Sequence, residues 1–94
     1  MASVLIIHEV ADFARWKAAF DQAEGLRRDA GELSYDLLRF DDDANNLVHF
    51  SEWTSLDAAR AFFQSAQVAE IRRKAGVKEP QFCYLERLVS AHHR

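Results

Sequence analysis

The chain's 94 residues, 49% hydrophobic and 29% charged, describe one small globular domain near the lower end of what folds alone. A formal charge of −3 supplies no basic footprint for nucleic acid or an anionic membrane, and no apolar run reaches the roughly 18–20 residues that span a bilayer. The start, Met1-Ala2-Ser3-Val4, enters a strand without a basic n-region, so no signal peptide is expected. A single cysteine, Cys83, allows no internal disulfide and points to a reducing cytoplasm, with the thiol buried and inert in a strand.

Val4–Val10 is rich in β-branched and apolar residues and reads as a strand buried on both faces. Asp12 fits an N-cap, because its carboxylate can accept from otherwise unpaired first-turn amides. Behind it Phe13, Trp16, Phe20, Ala23, Leu26 and Ala30 recur every three or four residues, the buried stripe of a helix. An irregularity is expected at Gly25 and a stop at Gly31. Glu32–Asp41 is the second strand, Asp41–Asn46 a polar hairpin turn, and Leu47–Trp53 the third strand. Thr54 or Ser55 then caps a helix striped by Leu56, Ala59 and Phe63, repeating the offsets of Asp12, Phe13, Trp16 and Phe20. Ser65 caps a further short helix that ends in Arg72-Arg73-Lys74, with Gly76 and Val77 arranged for a Schellman ending. Pro80 separates it from a last strand, Gln81–Val89, and Ser90–Arg94 is expected to be a loose tail.

The order is βαββαβ in a single domain over residues 1–94, an α+β, ferredoxin-like arrangement. Right-handed crossovers put all the helices on one face of a four-stranded antiparallel sheet. Alternation divides the first and third strands into Leu5/Ile7 with Val48/Phe50, and Ile6, His8 and Val10 with Leu47, His49 and Trp53. The purely apolar first set suits the helix-packed face. The second set is then left on a mostly apolar open face, which a monomer rarely leaves wet. Two copies stacked sheet to sheet would bury it, giving a homodimeric α+β barrel whose enclosed space is lined by histidine and tryptophan.

Val10-Ala11-Asp12-Phe13 with Trp16-Lys17 and Phe20, the Asp41–Asn46 turn, and Glu52-Trp53 before Ser55-Leu56-Asp57-Ala58-Ala59 together resemble the small dimeric α+β-barrel proteins of the antibiotic-biosynthesis-monooxygenase-like (ABM) superfamily. The resemblance spans roughly residues 3–88 and implies a barrel with a ligand pocket. Its members include cofactor-free monooxygenases and cyclases acting on aromatic polyketides, haem-degrading enzymes and muconolactone-isomerase-like proteins. Monooxygenase-like members often carry a helix histidine where this chain has Phe62. The asparagine, tryptophan and histidine of haem degraders fall on Ile6, Phe62 and Arg72, which argues against haem degradation.

His8 and His49 stand on strands expected to be neighbours, and a neutral imidazole there can act as general base or orient a ligand carbonyl. These two are the candidate catalytic residues. Each taken singly reads first as a satisfied structural histidine, and no third ligand stands at zinc spacing. Ile6, Tyr35, Trp53, Phe62 and Tyr84 are the candidate ligand-binding residues: Trp53 offers a flat wall, and the tyrosines offer hydrogen bonds. Trp16 belongs to the helix stripe and Glu52 is a strand-end carboxylate. Asp41, Asp43, Asn45 and Glu52 match positions of a calcium-loop template, but Asn46 stands where glycine is required and a strand follows.

The expected function is binding of a small apolar or aromatic molecule, with cofactor-independent oxygenation or cyclisation as the catalytic form. The alternative is a non-catalytic ligand-binding or assembly module. RNA binding shares the βαββαβ order but needs a basic, glycine-containing third strand, and Leu47–Trp53 has no Lys, Arg or Gly.

Overall fold

The computed structural model describes residues 2–93. Eight elements follow in order: β1 Ala2–Val10, α1 Phe13–Gln22, α2 Glu24–Ala30, β2 Glu32–Phe40, β3 Asp43–Trp53, α3 Leu56–Phe63, α4 Ala66–Lys74 and β4 Val77–Glu86. The strands form one antiparallel sheet in the order β2-β3-β1-β4, the ferredoxin-like α+β arrangement. Asp12 Oδ1 accepts from the Ala14 amide, Ser55 Oγ from Ala58 and Ser65 Oγ from Val68, so three helices begin at side-chain caps.

The long first helix breaks at Ala23 and not at Gly25. Beyond the break Arg27 turns inward at 3% exposure, while Leu26, assigned to the buried stripe, is 39% exposed. Gly31 ends α2 with a φ of 126°, and its carbonyl accepts from the Thr54 amide at 2.9 Å, tying this corner to the start of α3. The β2–β3 hairpin turns over Asp41 and Asp42 alone, because β3 starts at Asp43. Asn45 takes its place in that strand, its amide donating to Asp43 Oδ1 at 3.0 Å. Pro80 lies within β4 and not before it. An edge strand tolerates the missing donor, and β4 shifts register at this point against Ile7 and Glu9. β4 also ends at Glu86, short of Val89. Residues 90–93 have no regular structure; Met1 and Arg94 lie outside the described residues.

The two faces of the sheet are the reverse of the expected assignment. Val4, Ile6, His8 and Val10 of β1, with Leu47, His49, Ser51 and Trp53 of β3, are all buried under the helices. Leu5, Ile7, Val48 and Phe50 are half-buried on the open face, beside Cys83 of β4. The physical reason lies in where each strand meets its helix. Val10 and Trp53 both stand two residues before a cap, at 2% and 1% exposure, and each tucks beneath the helix that it leads into. Every second residue upstream shares that side. The core accordingly forms between sheet and helices, with Val4, Ile6, Trp53, Ala59, Phe63 and Val68 at one end and Val10, Trp16, Phe20, Leu47 and Ala75 at the other.

Candidate functional site

The face reversal places His8 and His49 inside the protomer, between sheet and helices, and not in a space between two sheets. His8 sits on β1 in register with Leu47, its ring 5.4 Å from that of Trp16 in α1. Trp16 stacks on Phe20 at 4.8 Å, and the Arg27 guanidinium lies 3.7 Å from the Phe20 ring centre. A cavity of about 60 Å³ opens beside His8. Trp16 and Phe20 of α1, Arg27 of α2, Phe62 and Phe63 of α3, and Val68, Ile71 and Arg72 of α4 supply its walls. That space takes roughly four waters or the head of a small ligand.

His8 is the polar group of interest on its floor. Burial, reinforced by His49 and Arg72 nearby, lowers its pKa from 6.5 to about 3, so its imidazole is neutral at physiological pH. Its Nδ1 is buried and has no hydrogen-bond partner. Native structures leave few such atoms, since a buried polar group ordinarily meets a protein, water or ligand partner.

His49 has a different environment. Its Nε2 lies 3.0 Å from Glu32 Oε2, while Glu32 Oε1 accepts from Arg27 Nε at 3.1 Å. The three side chains are 2–4% exposed. Arg27 Nη1 also donates to the Phe20 carbonyl at 2.8 Å, in the last turn before the helix break. The edges of Phe20 and Tyr35 close over the His49 ring at 5.0 and 5.6 Å. This is a closed network in which a carboxylate holds one cation and one imidazole in fixed orientation.

Of the seven candidate residues, His8 and Phe62 line the cavity. His49 stands behind Phe20 in the Glu32 network. Ile6 and Trp53 are fully buried one layer further in, Trp53 donating through Nε1 to Ser51 Oγ at 2.8 Å with its ring against Phe62 and Phe63. Tyr84 is half-buried on β4, stacked near Phe82 under the Arg60 guanidinium. Tyr35 is at the surface, donating to Glu24 Oε1 at 3.1 Å. Burial and that bond to Glu24 raise its pKa.

Arg27, Glu32 and Arg72 complete the site and are absent from the expected set. Arg27 had a readable signal, since it stands seven residues after Phe20 and so on the same helix side. Glu32 had none, because a carboxylate at a strand start is ordinarily solvated. Among the described residues, no three His, Cys, Asp or Glu side chains converge as a metal site requires.

Comparison with known proteins accords with this fold. The family model described as antibiotic biosynthesis monooxygenase matches residues 11–74, and the chain belongs to that family. No curated protein matches the sequence significantly. Among solved structures, SnoaB, a cofactor-independent oxygenase from Streptomyces nogalater, is similar with a TM-score of 0.78 at 16% identity, over 95% of this chain and 94% of that one. A protein of Mycobacterium tuberculosis is similar with a TM-score of 0.71 at 20% identity, over 98% of this chain and 100% of that one. No described helix is long and apolar enough to cross a membrane.

Proposed function

We propose that the protein is a cofactor-independent oxygenase acting on a small apolar or aromatic molecule that carries an acidic hydroxyl or activated carbon. The observation that carries this reading is His8: a buried, neutral imidazole that lines a mostly apolar cavity and whose Nδ1 has no hydrogen-bond partner. Family membership, and the likeness to a cofactor-independent oxygenase, support the reaction class.

In this reading His8 accepts a proton from the bound substrate, and the cavity shields the resulting carbanion from water. The carbanion carbon bonds to molecular oxygen and becomes a hydroperoxide. Loss of water then leaves a carbonyl, so a CH₂ is oxidised to C=O while one oxygen atom leaves as water. An imidazole of pKa about 3 is a weak base, which restricts the substrates to hydroxyls or carbons already acidic. Phe62 and Trp16 contact the substrate. Ile6, Trp53 and Tyr84 back the wall behind Phe62 and Phe63, His49 holds Arg27 through Glu32, and the Tyr35 ring lies near both His49 and Arg27.

The low basicity of His8 also favours the second reading, non-catalytic binding in the same cavity. Oxygen uptake with a panel of one- and two-ring phenols and enols, no cofactor added, separates the two. The oxygenase reading expects uptake that His8→Ala abolishes and Phe62→Trp, filling the cavity, suppresses. A phenol that stabilises the protein without being consumed supports binding alone, and uptake unchanged in both variants refutes a role for this cavity.

We also propose a homodimer through the open sheet face, in the cytoplasm. Leu5, Ile7, Val48, Phe50 and Cys83 form the centre of that face, and Leu38 and Leu85 extend it at 53% and 41% exposure. A contiguous apolar area of this kind is what a second sheet buries.

A further inference from the structure

We infer that the cavity selects a monoanion: a compact organic acid, or an ionised phenol or enol, whose negative oxygen sits among Arg72, Arg27 and His8 while its apolar body lies against Trp16, Phe62 and Val68. The inference rests on the cavity being the ligand site, as proposed above, and holds for a substrate or for a ligand that is only bound.

Three independent features converge. First, Arg72 reaches the cavity wall half-buried, donates through Nη1 to the Phe63 carbonyl at 3.0 Å and lies over the Phe82 ring. Among the described residues no carboxylate pairs with it, so its charge stands uncompensated beside an apolar space. Second, the charge of Arg27 is matched by Glu32, yet its Nη2 is buried without a partner. Its donor geometry is therefore unfilled although its charge is not. Third, His8 lines the same cavity, and its buried Nδ1 has no hydrogen-bond partner.

Two of the three orphaned buried side-chain atoms among the described residues thus belong to side chains lining one small space. The remaining one, on Asn46, lies away from it on β3. Glu32, the buried acid of this network, compensates Arg27 through Oε1 and meets His49 at Oε2, which leaves Arg72 as the uncompensated charge at the cavity. Burial disfavours a charge of either sign here, but the nearby Arg72 cation, which also opposes a proton on His8, favours a negative oxygen. A charge-assisted bond in a dry site is worth more than its neutral counterpart.

The test compares acids with their amides, which share shape and lose the charge. Benzoate against benzamide and 2-methylpropanoate against 2-methylpropanamide are titrated calorimetrically into the full chain at pH 7 and low salt. Each acid is expected to bind at least about tenfold more tightly than its amide, about one charge-assisted hydrogen bond. Arg72→Met should abolish that preference, weakening the acid more than the amide. Arg27→Lys, which keeps the charge facing Glu32 but removes Nη2, should reduce it. A bound acid should also raise the pKa of His8 in NMR titration. Equal affinity for acid and amide, or a preference that survives Arg72→Met, overturns anion selection and leaves the cavity as a ligand site. If neither acid nor amide binds the wild type, the cavity reading falls with it. If Arg27→Lys does not fold, the wild-type comparison and Arg72→Met still decide.

Discussion

Replacing His8 with glutamine should flatten the acid side of the stability profile. The depressed pKa of His8, about 3 against 6.5 for an ordinary histidine, makes folding pH-dependent in a defined window. Above pH 6.5 the imidazole is neutral in both folded and unfolded chains and contributes no slope. Between 6.5 and about 3 the unfolded chain takes up a proton that the folded chain refuses, so stability falls as pH falls. Below that both states are protonated and the loss levels off. Each pH unit in the window costs about 1.4 kcal/mol, so acidification from pH 6.5 to pH 5 should remove about 2 kcal/mol through this one residue. For a domain whose whole stability is on the order of 5–10 kcal/mol, that is a large share. Urea denaturation of wild type and His8→Gln at a series of pH values measures it, and the difference in slope isolates His8 from the carboxylates. Glutamine can lower stability at every pH without affecting the argument, because the readout is the slope. Parallel profiles, or an NMR titration of His8 near 6.5, would refute the claim that burial keeps this imidazole neutral.

Three further perturbations probe the frame around the site. Arg27→Met leaves Glu32 charged in a buried position and should cost about 3–5 kcal/mol in urea denaturation, with a second change, Glu32→Gln, recovering much of it. Gly31→Ala puts a Cβ 2.6 Å from Thr54 Oγ1 on a backbone with φ of 126°. It should lower stability by more than about 1 kcal/mol, and Thr54→Ala should relieve the clash without relieving the backbone strain. In sedimentation equilibrium the wild type should run at twice the 10.8 kDa chain mass and Phe50→Glu at the single-chain mass. A wild-type monomer at micromolar concentration would remove the proposed sheet-to-sheet dimer.

The helix starts were legible because a cap is local. Asp12, Ser55 and Ser65 each bond an amide two or three residues away, and all three occupy the expected positions. Strand alternation was equally legible, yet it left the choice of face open. Period two divides Val4, Ile6 and His8 from Leu5 and Ile7 without saying which set meets the helices. The more polar set was assigned to the open face, and so to a space enclosed by two sheets, because the purely apolar set suited the helix-packed face. In the folded chain the helices cover that set, and the cost of enclosing two imidazoles is met by keeping His8 neutral and hydrogen-bonding His49 to Glu32.

Local chemistry thus settled the element order, the caps, the hairpin and the two-layer class, because each depends on residues a few positions apart. The contents of the cavity came from contacts between distant parts of the chain. Arg27 meets Glu32 around a helix end, Glu32 meets His49 across the β2–β3 pair, and Arg72 of α4 reaches the space above His8 of β1. Whether a histidine is a free base, a buried neutral ring or one arm of an ion-pair network depends on which charges lie within a few ångströms. Those neighbours are fixed only when helix layer and sheet close on each other.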